Sequence, residues 1–445
     1  MAATDPRRAI DAVWRIEAPK VVAGVARLVR DVGLAEEFAH DALVSALEHW
    51  PADGVPDNPG AWLMTAAKRR ALDWLRQAAL HARKHDELGR DADARGDHVV
   101  PDIAQAVADA EGDVIGDDLL RLIFTACHPV LSADARIALT LKLLGGLSTE
   151  EIARAFLVSE ATVAQRIVRA KRALGEARVP FEVPGPDALP QRLASVLEVV
   201  YAIFNEGYTA TRGDDWMRLN LMHDALRLAR MLAELARDDS EVHGLVALME
   251  LHASRAAARI DDAGRPVLLA EQDRSRWDRL LIRRGLTALE RARALAVAAR
   301  QALGPYALQA AIAERHARAA SAADTDWPGI VALYDALAQA VPTPVVQLNR
   351  AVAVGMAFGP AAALEIVDGL QRDGGLRDYQ WLPSVRADLL AKLGRHAEAR
   401  SEFERAAALA RNARERELLL ERSRAMARPD TPGGTAGEPG AAGVD

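Results

Sequence analysis

The sequence predicts an all-α protein of several domains, and three observations lead there. Half of the 445 residues are hydrophobic yet only 4% are aromatic, and the strong helix formers Ala, Leu and Arg dominate. Apolar residues recur at steps of three and four through nearly the whole chain, the spacing of one buried helix face. Pro- and Gly-rich breakers separate those runs, at 51–61 and again from Val179 to Pro190. A chain of this length divides into two to four domains at ~150 residues each.

The formal net charge is −7. A DNA-binding protein needs its basic residues clustered, not in excess overall. Lys68, Arg69, Arg70, Arg76, Arg83 and Lys84 cluster around the single acid Asp73, whereas Asp86 to Asp118 is strongly acidic. Cys127 is the only cysteine, which excludes a disulfide framework within one chain. No charged-then-apolar leader opens the sequence and no apolar run approaches the ~18 residues of a membrane helix, so the expected location is the cytoplasm.

From Asp11 to about Val32, one helix face carries Val22, Val25, Ala26 and Val29. A second helix follows with Ala35, Phe38, Ala39, Ala42, Leu43, Ala46, Leu47 and Trp50 on one face, and Glu37, Asp41, Ser45 and Glu48 opposite. The segment 51–61 reads as loop. A third helix, about Ala61 to Gln77, carries Trp62, Leu63, Ala66, Leu72 and Leu75 together with the basic triplet.

The stretch Ser148 to Leu174 reads as two short helices with a tight turn. Ser148 and Glu151 form a capping-box signature, and Ser159 can cap the second helix. On that helix Val163, Ile167, Ala170 and Leu174 make one apolar stripe. The other side carries Thr162, Gln165, Arg169 and Arg172, with Arg166 and Lys171 at its flanks. Gln and Arg can read base edges, and Arg and Lys hold phosphates, the form of a helix-turn-helix entering a major groove. A helical hairpin with a solvated basic face is the alternative.

The order DALVSALEHW, Pro/Gly loop, AWLMTAAKRRALDWLRQ resembles the N-terminal domain of extracytoplasmic-function (ECF) sigma factors, specificity subunits of bacterial RNA polymerase. The helix-turn-helix falls where that family has its second DNA-binding domain. Arg69 stands where the family commonly has Asn, and Leu157 at a turn position where Gly is usual. The resemblance implies a region 2 domain (10–80), an acidic linker (81–116), a region 4 domain (117–178), a helical extension (186–426) and a disordered tail (427–445). It implies that Asp41, Ser45 and Glu48 dock on the β′ clamp of core RNA polymerase, and that region 4 meets the β flap. Lys68, Arg69 and Arg70 would hold −10 phosphates, and the 51–61 loop would pocket a flipped base. Trp62 and Trp74 either stack on bases or anchor the core. Thr162, Gln165, Arg166, Arg169, Lys171 and Arg172 would meet the −35 element. The linker lies in the RNA path or is a solubilising tether.

Beyond the second breaker, helical patterns continue over Leu193–Gly207, Met217–Leu235, Val242–Ile260, Trp277–Ala302, Tyr306–Ala320, Ile330–Ala340, Val345–Ala357, Pro360–Gln371, Val385–Leu393 and His396–Ala410. The later ones pair at roughly the tetratricopeptide period, and Ala399, Phe403 and Ala406 after a Leu-Gly-Arg turn match its second helix. The whole resembles sigma factors with a tetratricopeptide-like C-terminal extension, whose groove could take a peptide or protein. Cys127–His128, and the set Glu271, Asp273 and His316, lack the spacing of metal or catalytic motifs, so no metal, cofactor, enzymatic activity or membrane partner is expected. The reading is an alternative sigma factor regulated in cis by its extension. A DNA-binding regulator that never acts as a sigma subunit is the alternative, and the N-terminal domain separates the two.

Overall fold

The computed structural model describes residues 6–87, 115–210, 216–261 and 265–426. Among these, every regular element is helical apart from one antiparallel bridge, Ile260 to Pro266. The chain divides into two compact units, one drawn from Met1–Thr211, Met217–Ala257 and Ser275–Glu314, the other from the remainder.

The first unit opens with α1 (Pro6–Val29), α2 (Val32–Asp53) and α3 (Pro59–Glu87). Asp31 caps α2 by accepting from the Leu34 N–H, and the small residues Ala35, Ala39, Ala42 and Ala46 are fully buried against their neighbours. The loop expected at 51–61 shrinks to 54–58. Pro51 lies in the last turn of α2, where it forfeits one backbone bond, and Pro59 begins α3, where its missing N–H is not needed. Asn58 accepts from the Ala61 N–H at 3.1 Å to cap that start. Helix α3 also runs past Gln77 through 81–87, where a linker was expected; the rest of that acidic segment, 88–114, lies outside the described residues.

Next come α4 (Ile115–Ala126), α5 (Ala133–Leu143), α6 (Thr149–Phe156) and α7 (Glu160–Glu176), then α8 (Leu189–Tyr208), α9 (Leu219–Leu235), α10 (Ser240–Ala253), α11 (Arg279–Ala298) and α12 (Pro305–Arg318). One buried cluster runs from Ile10 through Leu122, Phe124 and Leu139 to Val163 and Ile167, then on through Leu193, Val200, Leu226 and Met249. The breaker at 179–190 therefore does not separate two cores. A Cβ at Gly207 would stand 2.4 Å from the Met222 backbone nitrogen, so α8 and α9 cross closely only because that position is glycine.

The second unit holds α13 (Trp327–Ala340), α14 (Pro344–Phe358), α15 (Pro360–Asp373), α16 (Trp381–Lys392), α17 (His396–Leu409) and α18 (Ala413–Met426), each packed on the next. Gly394, at φ 75°, makes the Leu-Gly-Arg turn, and Ala399, Phe403 and Ala406 are fully buried. Arg386 ties three helices by pairing with Asp368 at 2.8 Å and Glu402 at 3.1 Å. Helix α18 has no counterpart among the expected segments; Asn412 accepts from the Arg414 and Glu415 N–H groups at its start. Leu269–Glu271 and Arg274–Arg276, between the expected segments Val242–Ile260 and Trp277–Ala302, are single 3₁₀ turns. The tail expected at 427–445 lies outside the described residues.

Candidate nucleic-acid interface

The helix-turn-helix is fixed by local hydrogen bonds. Ser148 Oγ accepts from the Glu151 N–H at 3.1 Å, and Glu151 Oε2 accepts from the Ser148 N–H at 2.8 Å, a reciprocal capping box. Helix α6 ends at Leu157, which adopts the left-handed conformation (φ 50°, ψ 47°). Ser159 Oγ then accepts from the Thr162 N–H at 3.1 Å to start α7. Val163, Ile167, Ala170 and Leu174 are buried, as their spacing requires.

The six polar and basic side chains of α7 divide by position. Gln165 and Arg169 are exposed and make no side-chain hydrogen bond or ion pair among the described residues; Arg172 is exposed beside them and pairs with Glu176 at 2.6 Å. Thr162 is turned back on Ser159, hydroxyl to hydroxyl at 2.7 Å. Arg166 pairs with Asp134 of α5 at 2.9 Å, and Lys171 pairs with Glu36 of α2. Val168, 64% exposed, lies between Gln165 and Arg172 on the outward face. Sequence reasoning missed it; its place off the 163/167/170/174 stripe was the available signal.

The basic triplet does not form one face. Consecutive helical residues are ~100° apart, so Lys68, Arg69 and Arg70 span about 200°. Arg69 is exposed. Arg70 meets Asp41 at 3.2 Å and donates to Ser45 Oγ at 3.3 Å, which joins it to the face that also carries the exposed Glu48. Lys68 is half-buried, and its charge acts on Asp118. Trp62 packs edge-on against Trp50 at 5.3 Å and Trp74 lies tilted against Phe38 at 6.3 Å, so both indoles have partners within the fold.

Four ion pairs among the described residues tie α1–α3 to α4–α7. Arg27 pairs with the buried Asp118 at 3.4 Å, Arg15 with Glu151, and Lys142 and Lys171 with Glu36. Burial pushes the Asp118 carboxyl upward, against the lowering pull of Arg27 and Arg121. From the other side, α8 and α9 grip the same helices. Arg192 donates to the Phe124 carbonyl at 2.7 Å, Ser195 to the Cys127 carbonyl at 2.8 Å and Arg227 to the Gly145 carbonyl at 2.8 Å. The Cys127 thiol is buried against Thr140, and burial raises it to about 11, while His128 Nδ1 accepts from the Val130 N–H. The two neighbours thus serve packing and a turn.

Residues 14–80 match the model of sigma-70 region 2, and residues 121–174 that of sigma-70 region 4. The ECF RNA polymerase sigma factor SigK of Mycobacterium bovis is 30% identical over 155 residues, covering 34% of this chain and 75% of that protein. The chain belongs to the ECF sigma-factor family. As an alternative sigma factor it directs transcription initiation, a task outside the enzyme classes. A probable ECF sigma factor, SigI of Mycobacterium tuberculosis, is 27% identical over 183 residues, 41% of this chain and 59% of its own length. An uncharacterized protein of Rhizobium meliloti is 42% identical over 398 residues, 89% of this sigma factor and 91% of the relative. Residues 192–293 match a family of unknown function, DUF6596, and include the α8 and α9 contacts to region 4. No solved structure matches this sigma factor. No described helix is long and apolar enough to cross a membrane.

Proposed function

We propose that this sigma factor docks on the β′ clamp of core polymerase through Asp41, Ser45 and Glu48, and on the β flap through region 4. Arg69, an exposed member of the triplet, holds −10 phosphates with Arg70 beside it, and Gln165 and Arg169 read the −35 element while Arg172 sets affinity. The helical extension acts in cis and is required, because α8 completes the core beneath region 4; the buried Ser195 bond to the Cys127 carbonyl is the observation that carries this. The paired helices α13–α18 suit a tetratricopeptide-like role, taking a peptide or protein segment. The test is transcription in vitro with core polymerase on fragments of the source genome. Discrete start sites that core alone does not use are expected. Failure of the purified chain to bind core would leave the reading as a DNA-binding regulator in its place.

A further inference from the structure

The start of α11 carries arginines that the fold leaves unheld. Arg276, Arg279, Arg283 and Arg284 are all exposed and make no hydrogen bond or ion pair among the described residues. Arginines further along the same helix are paired, Arg291 with Asp238 at 3.3 Å and Arg293 with Glu314 at 2.6 Å. Asp278 is the only acid between Arg274 and Leu289, and its carboxylate is occupied as the helix cap, accepting from the Leu280 and Leu281 N–H groups at 2.8 and 3.1 Å. At ~1.5 Å and ~100° per residue, Arg279 and Arg283 stand in one row about 6 Å apart, with Arg284 across the exposed Leu280. Ile282, Gly285 and Leu289 face the core instead. The mount is fixed: the Asp278 N–H donates to the Ser254 carbonyl at 2.8 Å, and Trp277 is buried with the Arg255 guanidinium 5.9 Å from its ring. A Cβ on Gly285 would stand 2.7 Å from Leu251 Cγ, so α11 lies directly against α10.

Like charges held this close repel one another, and no neighbouring acid relieves them. In a chain of net charge −7 the cluster is not a by-product of a basic composition. Unpaired arginines along one helix are the electrostatic footprint of a polyanion, and the guanidinium fork suits phosphate. The polyanion is argued from position. Helix α11 belongs to the same compact unit as the helix-turn-helix, within the 192–293 segment of unknown function that shares its core with region 4. A sigma factor that directs initiation brings that unit to promoter DNA. We propose that Arg276, Arg279, Arg283 and Arg284 form a third DNA-contacting surface, beside those around Arg69 and along α7, and hold duplex phosphates irrespective of sequence. This does not depend on which residues of α7 read bases.

The test uses the full chain and a fluorescein-labelled duplex of about 30 base pairs of arbitrary sequence, titrated between about 50 and 200 mM salt. The triple variant Arg279→Ala/Arg283→Ala/Arg284→Ala is expected to weaken binding about tenfold or more at the low-salt end and to reduce the salt slope by about two to three. Arg279→Lys/Arg283→Lys/Arg284→Lys keeps the charges and should restore most of that slope. Both variants should melt with the unmodified protein, since the replaced side chains have no partner to lose. Arg372→Ala/Arg377→Ala/Arg424→Ala removes the same charge from exposed sites of the second unit and is expected to change affinity less than about twofold. No binding by the unmodified chain at low salt, equal weakening by the two alanine triples, or a lysine triple as weak as its alanine counterpart would overturn the proposal. So would a loss confined to single-stranded RNA of the same length or to binding of core polymerase. Arg169→Ala/Arg172→Ala leaving affinity intact, while the α11 triple weakens it, would count against the reading of α7 and not against this surface.

Discussion

Leu157 holds a left-handed backbone at the turn of the helix-turn-helix while half of its side chain is exposed. A side chain with a Cβ costs roughly 1–2 kcal/mol there, and an exposed leucine recovers little of it. Leu157→Gly should therefore raise stability by about 1 kcal/mol, read as a higher urea midpoint with unchanged slope. Glu415 is the opposite case, a carboxyl only 5% exposed that takes a hydrogen bond from Gln380. Burial pushes it from 4.5 to about 7. The folded state thus keeps a proton that the unfolded chain loses above pH 4.5, so stability falls as pH rises from about 4.5 to 7. The full loss is on the order of 3 kcal/mol. Glu415→Gln should flatten that slope and make the protein more stable at pH 8, as urea titrations at pH 5 and pH 8 would measure.

At the scale of the helix, α7 was legible because its signals are local: a serine cap, an apolar stripe and polar residues opposite. Its flanks were not, since nothing near Lys171 in sequence announces Glu36. The exposed centre of α7 should carry base recognition. Gln165→Ala is expected to relax preference at one base pair by about 1–3 kcal/mol, whereas Arg172→Ala should weaken all sequences alike and reduce the salt slope by about one; binding to promoter variants at two salt concentrations distinguishes them. The triplet Lys68–Arg70 shows the limit of reading composition as a surface. Three adjacent basic residues look like a patch in a string and become three directions on a helix. Helix α18 escaped notice because Arg and Glu crowd its pattern, leaving Asn412 as its one clear local signal.

Across the molecule, the fold class and the order of domains could be read from the string, but not where the cores join. The breaker from Val179 to Pro190 looks like a domain boundary, yet Arg192, Ser195 and Arg227 reach back some 70 to 80 residues to seal region 4. Periodicity carries no record of such pairings. Deleting residues 186–445 should remove that support, lower the melting temperature of the remaining domains and abolish promoter-specific transcription; full or raised transcription by the truncated chain would contradict a required extension.

Arg70 has one further consequence. Its guanidinium is shared between a carboxylate and a hydroxyl on the very surface proposed to meet the clamp. On that docking, whatever takes Asp41 and Ser45 sets the cation loose beside the promoter strand. Assembly then has a direction: the enzyme is engaged first, and its arrival switches on a grip for DNA.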